Sequence, residues 1–240
     1  MDKYIDMHCH ILPHVDDGAQ DLEETKKMLK AAYKDGIRYI IATPHFHPHR
    51  GSASPAKIKE QVKLVREEAK KLDENFRIFL GNEIYFGHDI PELLHDKQVL
   101  TMNGKEYILV EFSPSCEASY LKQGLQQLQM SGYKVILAHV ERYSCVREDF
   151  SLAEYLYQMG ILLQVNASSI VGDNGRAVKK FVKELLEEEM IFCVGTDAHD
   201  HKKRVPHMHK AAQYVEKKFG EEYTRRIFFS NAAMMLKKQR

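Results

Sequence analysis

Residues 3–10, Lys3-Tyr4-Ile5-Asp6-Met7-His8-Cys9-His10, decide how the chain is read. A short apolar run, Lys3–Met7, stops on two histidines spaced by one residue. The same pattern recurs along the chain. Ile37–Thr43 leads into Pro44-His45, Phe76–Gly81 into Asn82-Glu83, Tyr107–Val110 into Glu111, and Tyr133–Ala138 into His139. Ile191–Val194 leads into Gly195-Thr196-Asp197-Ala198-His199. Only Ile161–Val165 ends in a neutral residue, Asn166. Runs this short, rich in β-branched residues, read as strands.

Between them lie amphipathic helical patterns over about 21–35, 55–73, 117–131, 150–159 and 175–189, with two more over 206–219 and 221–238. In the first, Asp21 with Glu24 reads as a capping box, Met28, Leu29, Ala32 and Tyr33 form one stripe, and Asp35-Gly36 ends the helix. Strand–helix alternation implies right-handed βαβ units and a parallel sheet. Seven such units predict an α/β fold, a distorted seven-stranded β/α (TIM-like) barrel, with an open doubly wound sheet as the second choice. No linker or low-complexity stretch divides the chain, so residues 1–240 are expected to form one domain.

Composition narrows the function classes. Lys plus Arg is 35 and Asp plus Glu 34, a net charge of +1, which argues against nucleic-acid binding and a polybasic membrane anchor. No apolar run approaches the roughly 18 residues of a membrane span. Asp2 and Asp6 interrupt any signal-peptide core, and Cys9, Cys116, Cys145 and Cys193 form no CxxC pair. A soluble cytoplasmic protein with reduced thiols is expected. The excess is histidine: 13 residues, six of them within the first 49.

In a β/α barrel the strand ends meet on one face, where active sites are built. Side chains two apart on a strand face the same way, so His8 and His10 can grip one ion while Cys9 points elsewhere, and Asp197 and His199 share that spacing. A His and carboxylate set without thiolate suits manganese, iron or zinc. One HxH pair arises readily by chance; six strand ends carrying ligand types do not. His47, His49, His201, His207 and His209 read as loop or surface residues. Cysteine-phosphatase chemistry needs Arg six positions after Cys, and those positions hold Val15, Lys122, Ser151 and His199. Neither GxSxG nor a P-loop occurs.

The segments DMHCHILPHVDDGAQ, IIATPHFH, GNEIYF, YILVEFS, VILAHVERY and GTDAHD resemble the motifs of the polymerase-and-histidinol-phosphatase (PHP) superfamily. More narrowly they resemble its bacterial protein-tyrosine phosphatases of capsule and exopolysaccharide loci, the CpsB/YwqE-like branch. The resemblance runs from the first strand to about His207. It implies a distorted seven-stranded barrel holding three divalent metal ions, manganese foremost, with iron or zinc as alternatives. His8, His10, Glu83 and Asp197 would surround the first ion. Glu83 would bridge to the second, with Glu111 and His139. Asp17, rather than Asp16, would join His45 and His199 around the third. Arg142 and Arg204 would bind phosphate, their bland alternatives being a salt bridge and a solvated cation, and Asp17 belongs with them in the catalytic set. Val140-Glu141-Arg142 departs from the Pro-Glu-Arg common in relatives, and the loop Phe46-His47-Pro48-His49-Arg50 is of a kind that varies.

The implied reaction is hydrolysis of phosphotyrosine on a protein, expected to be a segment of a bacterial tyrosine kinase controlling polysaccharide synthesis, by a hydroxide bridging two ions. The nearest alternative is a histidinol-phosphate or other small-molecule phosphomonoesterase of the same superfamily. A manganese-dependent exonuclease sits poorly with the charge balance. An amidohydrolase would need a carboxylated Lys that no strand end supplies, and a regulatory scaffold with a decayed site would not retain nine ligands. The resemblance leaves room for a homo-oligomer.

Overall fold

The computed structural model describes residues 3–237. Among them run nine strands: β1 (Tyr4–Cys9), β2 (Ile37–Ala42), β3 (His45–Phe46), β4 (Arg77–Leu80), β5 (Glu83–Tyr85), β6 (Tyr107–Glu111), β7 (Lys134–Leu137), β8 (Leu162–Asn166) and β9 (Ile191–Gly195). Every pairing is parallel. One sheet has the order β1-β2-β4 and the other β3-β5-β6-β7-β8-β9. An isolated bridge between Cys9 and Ala198 joins the end of β1 to the segment after β9.

Nine strands replace the seven expected, because two of the apolar runs are each followed by a second short strand. Pro44 has no N–H to donate, so the ladder lapses between β2 and β3. Asn82 turns away between β4 and β5: its backbone N–H donates to Leu100 O (3.1 Å) and its side-chain oxygen accepts from Leu100 N (2.9 Å). Its amide nitrogen donates to Pro44 O (2.8 Å), tying the two interruptions together.

The helices are α1 (Leu22–Lys34), α2 (Pro55–Leu72), α3 (Ile90–His95), α4 (Ala118–Met130), α5 (Ser144–Glu148), α6 (Phe150–Gln158), α7 (Ala167–Val171), α8 (Arg176–Glu187), α9 (Met208–Phe219), α10 (Glu221–Arg225) and α11 (Asn231–Leu236). The long helices stand where periodicity places them. The short α3, α5 and α7 span too few residues to show a period. The helix expected over 221–238 is broken by a π-helical stretch, Arg226–Ser230, between α10 and α11, and its last residue falls outside the described part. Asp21 caps α1 by accepting from Glu24 N (2.8 Å), but Glu24 does not complete a capping box; its carboxylate takes the N–H and ring of His201 instead.

The strands are buried nearly throughout, and their residues divide between two apolar clusters. Ile40, Val110 and Val135 pack outward against the helices, while Ile41, Leu109 and Ile136 form a second, inner core with Ile5, Met7 and Cys193. Met102, Ala232 and Met235 belong to that inner core as well. Each buried aliphatic contributes about 1.5–3 kcal/mol. The register of β1 slips between Asp6 and Cys9, the signature of a bulge. That slip lets Ile5 and Met7 join the inner core and still turns His8 and His10 toward the strand-end site. Asp6 secures the irregularity: its carboxylate accepts from His8 N (3.2 Å), from Thr196 N (2.8 Å) and from the Thr196 hydroxyl.

Burial pushes the Asp6 carboxyl up to about 6, against the lowering effect of the Thr196 and His8 hydrogen bonds. Its folded value exceeds the unfolded one near 3.9, so its stabilisation is full below about pH 4 and is lost as pH rises through about 6. In metal-free protein, the stability of wild type relative to Asp6→Asn should therefore rise by about 1–2 kcal/mol between about pH 7 and pH 5. Urea unfolding of both proteins measures this, and parallel pH profiles would refute it.

Candidate metal centre

The strand ends bring all nine expected ligand residues into one continuous cluster. His8 and His10 sit at the end of β1, His45 opens β3, Glu83 opens β5, and Glu111 ends β6. His139 follows β7, and Asp197 and His199 follow β9. Asp17 comes from the loop between β1 and α1. Among the described residues, four groups have candidate ligand atoms within 4.8 Å of one another: His8, His10, Glu83 and Asp197; Glu83, Glu111 and His139; His10, Asp17, His45 and His199; and His45, His47 and Glu111. The first three contain the sets implied by the resemblance, with His10 added to the third; the fourth was not expected.

Glu83 is the hub. Its Oε2 lies 3.0 Å from His8 Nε2, 3.2 Å from His10 Nε2 and 3.1 Å from His45 Nδ1, and its Oε1 lies 2.8 Å from His139 Nε2. Asp197 Oδ1 is 3.6 Å from His8 Nε2 and 3.5 Å from His10 Nε2. Asp17 Oδ1 reaches both His45 Nε2 (3.4 Å) and His199 Nε2 (3.5 Å). Glu111 Oε1 is 3.1 Å from His45 Nδ1.

The supporting residues fix which ring nitrogens face inward. Gln164 on β8 accepts at Oε1 from His8 Nδ1 (3.1 Å) and His139 N (2.9 Å), and donates from Nε2 to Asn166 Oδ1 (2.9 Å). Asn166 donates to Asp197 Oδ2 (3.1 Å), and its backbone N–H goes to Glu141 Oε1 (2.9 Å). Asp16 accepts from His10 Nδ1 (2.8 Å) and from His45 N (3.0 Å). Asp16 and Asp17 thus divide the work: the first orients His10 and the second projects into the cluster. With both Nδ1 atoms donating, His8 and His10 turn their Nε2 lone pairs toward one another at 3.1 Å and toward carboxylate oxygens. Only a cation or added protons reconcile such a set. His139 (φ 34°) and Asp197 (φ 53°) hold left-handed backbone, a conformation that costs about 1–3 kcal/mol and concentrates at functional sites.

The donor set fits divalent metal. His45 Nδ1, Glu83 Oε2, His139 Nδ1 and His199 Nε2 are buried polar atoms without a hydrogen-bond partner among the described residues. Burial would raise the Glu83 and Asp197 carboxyls, but His8 and His10 hold both well below the usual range, with His139 adding to the effect on Glu83 and Arg142 to that on Asp197. Burial disfavours protonated His8, yet Glu83 and Asp197 raise it overall. His8 and His10 thus hold a proton more tightly than a free imidazole does, and an ion must compete with it.

Arg142 and Arg204 meet on the same oxygen, Asp197 Oδ2, the second at 2.7 Å. The bland expectation of a salt bridge describes both as they stand, though the partner is a residue of the candidate ligand set. His47 stands in the loop after β3, as read, but it is half-buried and lies within reach of His45 and Glu111. His49 lies 3.7 Å from Asp89, His201 pairs with Glu24, His207 with Asp173, and His209 with the Tyr4 hydroxyl. Sequence reasoning missed Asp6, Gln164 and Asn166. The one available signal was Asn166 itself, the neutral exception among charged or histidine strand ends.

Known proteins are similar to this chain. The family described as capsular polysaccharide synthesis, CpsB/CapC, matches residues 4–237. Tyrosine-protein phosphatase YwqE of Bacillus subtilis is 36% identical over 235 residues, covering 98% of this chain and 92% of that protein. Tyrosine-protein phosphatase CpsB of Streptococcus pneumoniae is 31% identical over 240 residues, covering 98% and 99%. A chain from crystal structures of YwqE and CpsB, described as unique metal-dependent tyrosine phosphatases, superposes with a TM-score of 0.89 at 36% identity, covering 97% of this chain and 94% of that one.

Gln164 offers a test of the supporting network that leaves every candidate ligand in place. Gln164→Ala should weaken divalent-metal binding by about 10–100-fold, read by chelator competition. Wild-type affinity in a folded variant would refute the role.

Proposed function

Because the chain belongs to the CpsB/CapC capsular polysaccharide synthesis family, we propose that it is a metal-dependent phosphatase hydrolysing phosphotyrosine on proteins. The observation that carries this reading is the buried His and carboxylate cluster hubbed on Glu83, with two guanidiniums converging at its edge. The substrate is a phosphotyrosine segment of a bacterial tyrosine kinase that controls capsular or exopolysaccharide synthesis, met in the cytoplasm. The relatives' tyrosine-phosphatase identity favours this over a histidinol-phosphate phosphatase.

On this reading residues 1–240 act as one domain, and the two sheets, bridged at Cys9 and Ala198, work as one distorted β/α barrel with the cluster at its mouth. Three divalent ions, manganese foremost, are held by His8, His10, Glu83 and Asp197; by Glu83, Glu111 and His139; and by Asp17, His45 and His199. When bound, such ions lower the pKa of coordinated water toward 7 and offset phosphate charge.

The chain's own residues do the rest. Asp17, Glu83, Glu111 and Asp197 carry a formal −4; three divalent ions would leave the site at +2, matched to a phosphate dianion. Gln164 and Asp16 keep the His8 and His10 lone pairs aimed inward. Arg142 and Arg204 leave Asp197 for the equatorial phosphate oxygens, where a planar fork binds in bidentate fashion and neutralises developing charge. A tyrosyl leaving group, with a pKa near 10, demands less protonation than an alkoxide.

His8→Ala and Glu83→Gln should each lose both bound metal and phosphatase activity, whereas Arg142→Ala or Arg204→Ala should keep metal and lose about 10²–10³ in kcat/KM on a phosphotyrosine peptide. Metal analysis beside steady-state kinetics checks both. Undiminished turnover after complete chelation would sink the metal mechanism, and faster turnover of histidinol phosphate than of the peptide would sink the substrate assignment.

A further inference from the structure

Among the described residues, three cavities border the cluster: two share candidate ligands with it, and the third meets it through His47. The one beside Asp17 and His199 measures about 390 Å³ and is lined by carboxylates of Asp17, Asp21 and Glu24 together with Lys202 and Lys203. The one beside Arg142, Asp197 and Arg204 measures about 200 Å³ and is polar. The third, beside His47, measures about 560 Å³. Neither of the first two has a Phe or Tyr in its wall, whereas the third has Tyr85, Phe86 and Tyr120.

This aromatic wall is tied to the candidate ligands. Tyr85 sits opposite Glu111 in the β5–β6 register, two residues after Glu83. The His47 ring lies 4.8 Å from that of Tyr85, tilted by 32°, and His47 itself reaches His45 and Glu111. Phe86 and Tyr120 meet edge to face at 5.5 Å. A substrate whose phosphate sits at the cluster finds these three cavities beside it for its organic part. A phenyl ring gains from offset or edge-on aromatic neighbours. The acidic cavity offers none and opposes an anionic peptide; the smallest cavity presents its cations to phosphate oxygens.

We infer that the cavity at the ends of β3 and β5 receives the phenyl ring of the substrate, and that Tyr85 and Tyr120 determine the preference for aryl over alkyl phosphates. This rests on the phosphatase reading above and assigns its specificity. The test is binding of phenylphosphonate and methylphosphonate to manganese-loaded wild type, Tyr85→Leu and Tyr120→Ala by calorimetry, alongside turnover of a phosphotyrosine peptide by wild type. Wild type should favour the phenyl ligand by tenfold or more, and each variant should lose several-fold of that preference. An unchanged preference in both variants, or equal loss for both ligands, overturns the assignment. A preference lost in the variants while wild type fails to hydrolyse the peptide overturns the phosphatase reading and leaves the ring cavity standing.

Discussion

The rest of the structure depends on one buried carboxylate. Glu83 is 1% exposed, and four imidazoles, those of His8, His10, His45 and His139, approach its two oxygens. A charge so placed costs several kcal/mol unless compensated on every side. Compensation cannot come from nearby in the chain, because Glu83 opens a three-residue strand. It comes from the end of β1, the first residue of β3 and the segment just after β7, which the parallel pairings bring to the same face. The requirement to surround one carboxylate thus places demands on strand order, on register and on the interruptions at Pro44 and Asn82.

The polar network is arranged so that rigidity and reactivity occupy different atoms. Nδ1 of His8 and of His10 is committed to Gln164 and Asp16, while the opposite nitrogen stays available. Asp197 gives Oδ2 to Asn166, Arg142 and Arg204 and turns Oδ1 toward the imidazoles. The unpartnered buried atoms and the left-handed backbone at His139 and Asp197 lower stability, a cost the two apolar cores offset. β8 carries no candidate ligand, yet its Gln164 and Asn166 brace His8, His139 and Asp197.

Much of this was legible in the residue order. Period-two alternation put His8 and His10 on one side, and the recurrence of His or acid after each apolar run located His45, Glu83, Glu111, His139 and Asp197. What escaped were residues whose side chains act on partners far along the chain. Asp6 holds Thr196 across 190 positions, and Gln164 holds His8 across 156. Glu24 looked like half of a capping box, yet His201, 177 positions away, claims its carboxylate. A local rule weighs only local competitors, and a stronger distant partner overrides it.

The sequence by itself determined the long helices, the seven apolar strand runs, their parallel alternation and the chemistry gathered at their ends, because these follow from periodicity and residue type within a few positions. Tertiary structure alone decided that nine strands among the described residues stand in two sheets, that Asp16 braces His10, that His47 lies near His45 and Glu111, and that an aromatic cavity opens beside them. Each depends on which distant strand ends meet, and at what angle. That is settled by packing both cores while leaving no buried charge alone, a condition no segment can meet separately.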